Sequence, residues 1–219
     1  MSDSRFAAWS LVVPVKVLAR AKSRLAAAAG PHRAELALAV AADTVAAALR
    51  CDRVGAVIVV TDDPLAASEL DALGARIVPD QPDGGLNPAL AYGAGIARTA
   101  APHAGVGALS ADLPALRPAA LGRVLDAAAR VPTAFVPDAA DVGTTLYTAR
   151  PGAPFVPAFG TGSRLRHRTA GAYEVTVRDI ASVRRDVDTL DDLREALALG
   201  VGPRTAEVAG RLPVLAAGH

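Results

Sequence analysis

Cysteine is almost missing from this chain. The single thiol, Cys51, cannot close an internal disulfide, and no Cys/His cluster at metal spacing accompanies it, so a zinc site is excluded. A reducing cytoplasm is the expected setting. Aromatic residues make up only 4% of the sequence, so alanine and valine must do most of the core filling. Met1 is the sole methionine, which excludes a methionine-rich groove. An excess of one charge sign is missing too: 23 Lys+Arg against 22 Asp+Glu leave a net charge of +1. No strong overall field therefore draws the chain to nucleic acid or membrane. Long apolar runs are absent. The opening stretch MSDSRFAAWSLVVPVKV sets an acid before a short apolar run that turns basic, which fits neither a secretory signal nor a membrane span. The four histidines (His32, His103, His167, His219) are scattered, and no Ser-His-Asp or Cys-His constellation can be assembled. Neither G-x-x-x-x-G-K-[ST] nor G-x-G-x-x-G occurs, so those two routes to phosphate are not used.

What is present is alternation. A chain of 219 residues fits one α/β domain or at most two small ones, and one domain over 1–219 is expected. Apolar runs at Trp9–Val15, Val54–Val60, Ala75–Pro79 and Val106–Ser110 read as buried strands. A helix is expected from about His32 to Arg50, another opening at Asp63-Pro64, another at Asn87-Pro88, and another reaching about Arg130. Asp63 and Asn87 are each expected to cap the helix that a proline follows. TAFVPD, GTTLYTA and YEVTVRDI read as further strands, FGTGS as a turn opening a short helix, and Leu190–Leu199 as the last clear helix. Residues 203–219 read as a weakly structured, flexible tail. Strand–helix alternation over the first 130 residues predicts βαβ units in a parallel sheet covered on both faces, turning mixed in the C-terminal half.

In such sheets ligands sit beyond the C-terminal strand ends. After the first strand, KVLARAKSRL places Lys16, Arg20, Lys22 and Arg24 within nine residues. Several cations in one loop can offset a polyanion such as a triphosphate; a solvated basic loop is the plain alternative. After the third strand, Gly84 and Gly85 allow close backbone approach to a ligand, and the helix opening at Asn87 offers free N–H groups. Asp112, just past the fourth strand, is well placed for a metal–phosphate complex; a helix cap or turn acid is the plain alternative. Gly143-Thr144-Thr145 and Gly160-Thr161-Gly162-Ser163 combine glycine with hydroxyls, as turns and anion sites both do. In RRDVDTLDD, Asp186 and Asp188 share one side if the backbone is extended, whereas Thr189 with Asp192 resembles a capping box. Because Thr189 can cap unaided, the aspartate pair has no structural task left, and a hard cation such as Mg²⁺ would supply one.

The blocks VPVKVLARAKSRL, GLNPAL, LSADLPAL, DVGTTLYTA, FGTGSRLRH and RRDVDTLDDL occur in this order. Together they resemble the 2-phospho-L-lactate/phosphoenolpyruvate guanylyltransferase family of coenzyme F-420 biosynthesis, over about Val12 to Leu199. The resemblance implies a Rossmann-like, GT-A-like nucleotidyltransferase fold, with a basic first loop where molybdopterin-cofactor guanylyltransferases carry a glycine-rich one. It implies Asp112, Asp186 and Asp188 as magnesium ligands, and Thr144, Gly160 and Ser163 as the residues holding the phosphorylated three-carbon acid. Lys16, Arg20, Lys22 and Arg24 should take the GTP triphosphate, with Lys16 and Asp112 at the reacting centre. Gly84, Gly85 and Asn87 should lie near the nucleoside. Hand-off of the product to the transferase acting on the deazaflavin is implied as well. The motifs do not decide between phosphoenolpyruvate and 2-phospho-L-lactate; the Ala/Arg-rich composition leans to the former. A sugar or cofactor nucleotidyltransferase on the same fold and a non-catalytic GTP-binding protein are the other readings of these residues.

Overall fold

The computed structural model describes residues 8–20, 22–81 and 84–216, apart from the side chains of Arg20, Ser23, Ala27 and Ala216. The first half runs β1 (Trp9–Pro14), α1 (Ala26–Ala29), α2 (Arg33–Leu49), β2 (Val54–Val60), α3 (Pro64–Asp71), β3 (Arg76–Val78), α4 (Leu86–Ala100) and β4 (Gly105–Leu109). The second half runs α5 (Pro118–Ala128), β5 (Thr133–Pro137), β6 (Thr144–Ala149), α6 (Ser163–Thr169), β7 (Tyr173–Glu174), α7 (Ala181–Arg184), α8 (Leu190–Leu199), α9 (Pro203–Ala209) and α10 (Pro213–Ala216). Seven strands make one sheet in the order β3-β2-β1-β4-β6-β5-β7. The block β3-β2-β1-β4 is parallel, β6 is antiparallel to both β4 and β5, and β7 is parallel to β5. The α/β sheet, parallel first and mixed later, is the one expected from the alternation.

β1 is an inner strand buried on both faces, so its sequence is apolar without alternation. Leu11 and Val13 pack toward α2 and α5, while Val12 packs toward α4 with Ile58, Val60 and Ala108. The outer side of α2 (Leu36, Val40) is covered in turn by Val187, Leu193, Val208 and Leu212. That third layer overturns the expected flexible tail as far as residue 216; Ala217, Gly218 and His219 lie outside the described residues. α9 is held because Asp43, buried in α2, accepts hydrogen bonds from the backbone N–H of Thr205 at 2.7 Å and of Arg204 at 3.3 Å. No residue near α9 in sequence does this work.

Two further expectations change. YEVTVRDI is not one strand: β7 stops at Glu174. Its partner β5 ends at Pro137, which has no N–H to extend the ladder, and Asp179, with φ of 59°, turns the chain into α7. At α4 the capping residue is Gly85 rather than Asn87, whose side chain is engaged elsewhere. Asp63 does cap α3, accepting from the N–H groups of Leu65 and Ala66. Its other oxygen accepts from Leu18 N–H at 2.9 Å, so the same carboxylate pins the start of the basic loop. Burial acts to raise this carboxyl's pKa, but the three N–H donors hold it below the usual range. Among the described residues no helix is long and apolar enough to cross a membrane.

Candidate active site

The chain lays β2 and β3 on one side of β1 and then crosses to place β4 on the other. This reversal opens a crevice beyond the C-terminal ends of β1 and β4. A cavity of about 540 Å³ lies there. Its lining includes five stretches distant in sequence: Lys16, Lys22 and Arg24 after β1; Ser110 to Asp112 after β4; Val142 to Thr144; Phe159 to Ser163; and Asp186 with Asp188.

Asp186-Val187-Asp188 behaves as extended chain. Val187 is buried in the outer core while both aspartates line the cavity. The segment is docked onto the β4 loop by the Val187 N–H, which donates to the Asp112 carbonyl at 3.0 Å. Lys22 stands at the centre of the acids. Its Nζ donates to Asp112 Oδ2 at 2.8 Å, to Asp188 Oδ1 at 3.3 Å and to the Val187 carbonyl. Burial pushes the Lys22 pKa down, but Asp112 and then Asp188 more than offset this and hold the ammonium above its usual range. Among the described residues Asp186 has no such cation. Burial, then the charges of Asp112 and Asp138, push its carboxyl up to about 7.

These residues fit a hard divalent cation. Their donors are all oxygen, and Asp112 Oδ1 is buried and makes no hydrogen bond. Among the described residues no three acidic, histidine or cysteine side chains form a closed cage. The acids surround Lys22 instead, which suits a cation that takes part of its coordination from substrate phosphates.

The opposite wall is the Phe159–Ser163 turn. Gly160 (φ 113°) and Gly162 (φ 72°) adopt backbone angles that side-chain-bearing residues rarely take. Asn87 braces the turn: its amide oxygen accepts from Phe159 N–H at 2.8 Å and its amide nitrogen donates to Phe159 O at 3.2 Å. Arg166 donates to the carbonyls of Ala158 and Thr161. Thr144 is nearly buried and bonded to His167. Asp138 closes the neighbouring loop by accepting from Val142 N–H (2.9 Å) and Gly143 N–H (2.7 Å).

Of the residues singled out from the sequence, Lys16, Lys22, Arg24, Asp112, Thr144, Gly160, Ser163, Asp186 and Asp188 all line this one cavity. The Arg20 side chain lies outside the described residues. Gly84, Gly85 and Asn87 do not line the cavity; Leu86 and Leu90 of α4 do. Arg184 and Arg185 face away: Arg184 holds the Asp138 carbonyl and Asp141, and Arg185 pairs with Asp192 and Glu195. Sequence reasoning passed over Asp138 and His167. Asp138 left a signal, an acid directly after a strand; His167 left none.

The family model described as "Guanylyl transferase CofC like" matches residues 9–214. A Thermomonospora curvata protein named phosphoenolpyruvate guanylyltransferase is 69% identical over 210 residues, covering 96% of this chain and 92% of its own. A Streptomyces avermitilis protein of the same name is 63% identical, covering 93% and 95%. Among solved structures, CMP:2-keto-3-deoxy-manno-octonic acid synthetase in complex with CTP superimposes with a TM-score of 0.54 at 17% identity, over 88% of this chain and 98% of its own. At that identity the likeness speaks to the fold alone, which is a nucleotidyltransferase fold.

Proposed function

The chain belongs to the family of CofC-like guanylyl transferases, and from that premise we propose that it condenses GTP with phosphoenolpyruvate. The products are enolpyruvyl-2-diphospho-5′-guanosine and pyrophosphate, and the setting is coenzyme F-420 biosynthesis in the cytoplasm. The names of the relatives support phosphoenolpyruvate over 2-phospho-L-lactate as acceptor. The observation that carries the reading is one cavity with acids on one wall, a basic loop on the second and a glycine–hydroxyl turn on the third.

An acceptor phosphate oxygen bonds to the α-phosphorus of GTP, and the α–β bridging P–O bond breaks to release pyrophosphate. A phosphomonoester, with a second pKa of about 6, is already a dianion at neutral pH, so no general base is required. The task is to bring two polyanions together in line. Lys16, Lys22 and Arg24, which line the cavity, take the charge of the triphosphate. Thr144, Gly160 and Ser163 hold the phosphorylated acid; Gly84, Gly85 and Asn87, which do not line the cavity, act on the nucleoside only by setting α4, whose Leu86 and Leu90 do line it. Asp112, Asp186 and Asp188 would hold a divalent cation, Mg²⁺ in this reading. When bound, that ion neutralises phosphate charge and aligns the in-line displacement. Product passes to the next transferase in the sequence, which acts on the deazaflavin.

The test is pyrophosphate release from GTP and Mg²⁺ with phosphoenolpyruvate, 2-phospho-L-lactate, 3-phosphoglycerate or sugar phosphates, with and without that next enzyme. Turnover fastest with phosphoenolpyruvate is expected. Silence with every three-carbon acceptor, even when product is drawn off, overturns the reading.

A further inference from the structure

His167 is fully buried and bonds the site through Thr144. Its ring is wedged among three aromatics: stacked on Tyr147 at 4.7 Å, edge-on to Phe159 at 5.5 Å and tilted to Phe135 at 5.6 Å. Both ring nitrogens are engaged. Ala158 N–H donates to Nε2 at 2.9 Å, and Nδ1 lies 3.0 Å from Thr144 Oγ1. A peptide N–H can only donate, so Nε2 must present its lone pair, and the proton of the neutral ring sits on Nδ1. Nδ1–H therefore donates to Thr144 Oγ1. A hydroxyl that accepts from one side keeps its own O–H free to donate elsewhere.

We propose that His167 is a positioning residue for the anionic acceptor: it sets the direction of a relay, Ala158 N–H to Nε2, Nδ1–H to Thr144 Oγ1, that turns the Thr144 O–H into the cavity as a donor. The proposal rests on the functional reading above in one respect, namely that Thr144 meets the phosphorylated acid. The other neutral tautomer would reverse the relay. Thr144 would then donate to the ring and show only oxygen lone pairs to a phosphate or carboxylate, which can itself only accept. The Ala158 N–H forbids that tautomer. Burial, and next the charge of Arg166, hold the ring's pKa down to about 4, so it stays neutral near pH 7. The same Nε2 bond fastens the residue before Phe159, whose backbone Asn87 grips from α4. One imidazole thus sets both the turn and the hydroxyl that faces it.

Two arms test this. In wild-type protein labelled with ¹⁵N-histidine, long-range ¹H–¹⁵N correlation should find His167 as the neutral Nδ1–H tautomer, unchanged over roughly pH 6 to 8. An Nε2–H tautomer or a charged ring there overturns the proposal without reference to any substrate. The second arm is kinetic. His167→Gln keeps an acceptor for Ala158 N–H but loses the donor to Thr144, whereas His167→Asn keeps an N–H where Nδ1–H stood. Gln should raise KM for the acceptor about tenfold or more, with KM for GTP within about twofold. Asn should restore most of that loss. In a Thr144→Val background, Gln should add nothing further. Equal damage from Gln and Asn, or a GTP KM that moves with the acceptor KM, overturns the proposal. If wild type turns over no phosphorylated acid, the functional reading falls instead, and the tautomer result still stands.

Discussion

A lysine among aspartates is a held charge. Lys22 adopts a left-handed backbone angle (φ 53°), a conformation costly for a side-chain-bearing residue. Its ammonium meets Asp112 and Asp188, with the lysine side chain 10% exposed. Removing it leaves two carboxylates facing each other beside Asp186, whose carboxyl burial and crowding already push up to about 7. Lys22→Met should lower stability by about 1–2 kcal/mol, a discounted figure because Asp188 is largely exposed. Millimolar Mg²⁺ should then raise the Tm of Lys22→Met more than that of wild type, because the ion no longer competes with the ammonium. Equal thermal shifts in the two proteins would count against a shared site. Among the described residues, Lys16 and Arg24, exposed on the same rim, have no comparable carboxylate partner in the cavity.

At the scale of elements, helix ends show which signals a sequence carries openly. The capping box of α8 closes as the spacing predicts, with Thr189 and Asp192 bonding each other's backbone N–H. Asp63 caps α3 in the same local way. α9 has no local cap, and its donors are satisfied by Asp43, more than 160 residues earlier in the chain. Asp43→Ala should therefore cost about 2 kcal/mol, at the upper end for a lost cap because the donors it serves are buried or partly buried. Urea denaturation followed by circular dichroism measures this; a loss under about 0.5 kcal/mol would mean α9 is held by packing alone. Asn87 shows the converse. Its Asn-Pro spelling is that of a cap, yet its amide is committed to Phe159, so the residue ties α4 to the turn across the cavity.

For the whole molecule, the strand order concentrates the chemistry. β1 and β4 are neighbours although β2 and β3 intervene in sequence, so the loops after them face each other. The Asp186–Asp188 stretch reaches the same crevice only because Val187 is drawn into the core beneath α2 and α8 and bonds the Asp112 carbonyl. Asp188 contributes its carboxylate from a largely exposed side chain. Asp188→Asn should consequently keep the fold, with Tm within a few degrees of wild type, and reduce Mg²⁺-dependent turnover by about 100-fold or more. Unimpaired turnover in that variant would remove Asp188 from the proposed metal site.

The sequence by itself determined the alternation of strands and helices, the parallel-then-mixed sheet, the two local caps and the carboxylates and cations that line the crevice. These follow from periodicity, from residue chemistry and from the rule that ligands sit beyond parallel strand ends, all of which act over short stretches. Only the tertiary structure decided that Lys22 sits inside the acid cluster, that Arg184 and Arg185 turn outward, that Asn87 braces a turn instead of capping a helix, and that His167 is a neutral ring behind Thr144. Each of these is a hydrogen bond or ion pair between residues far apart in the chain. Such a pairing depends on which loops the sheet order brings together, and neither partner's local sequence records it.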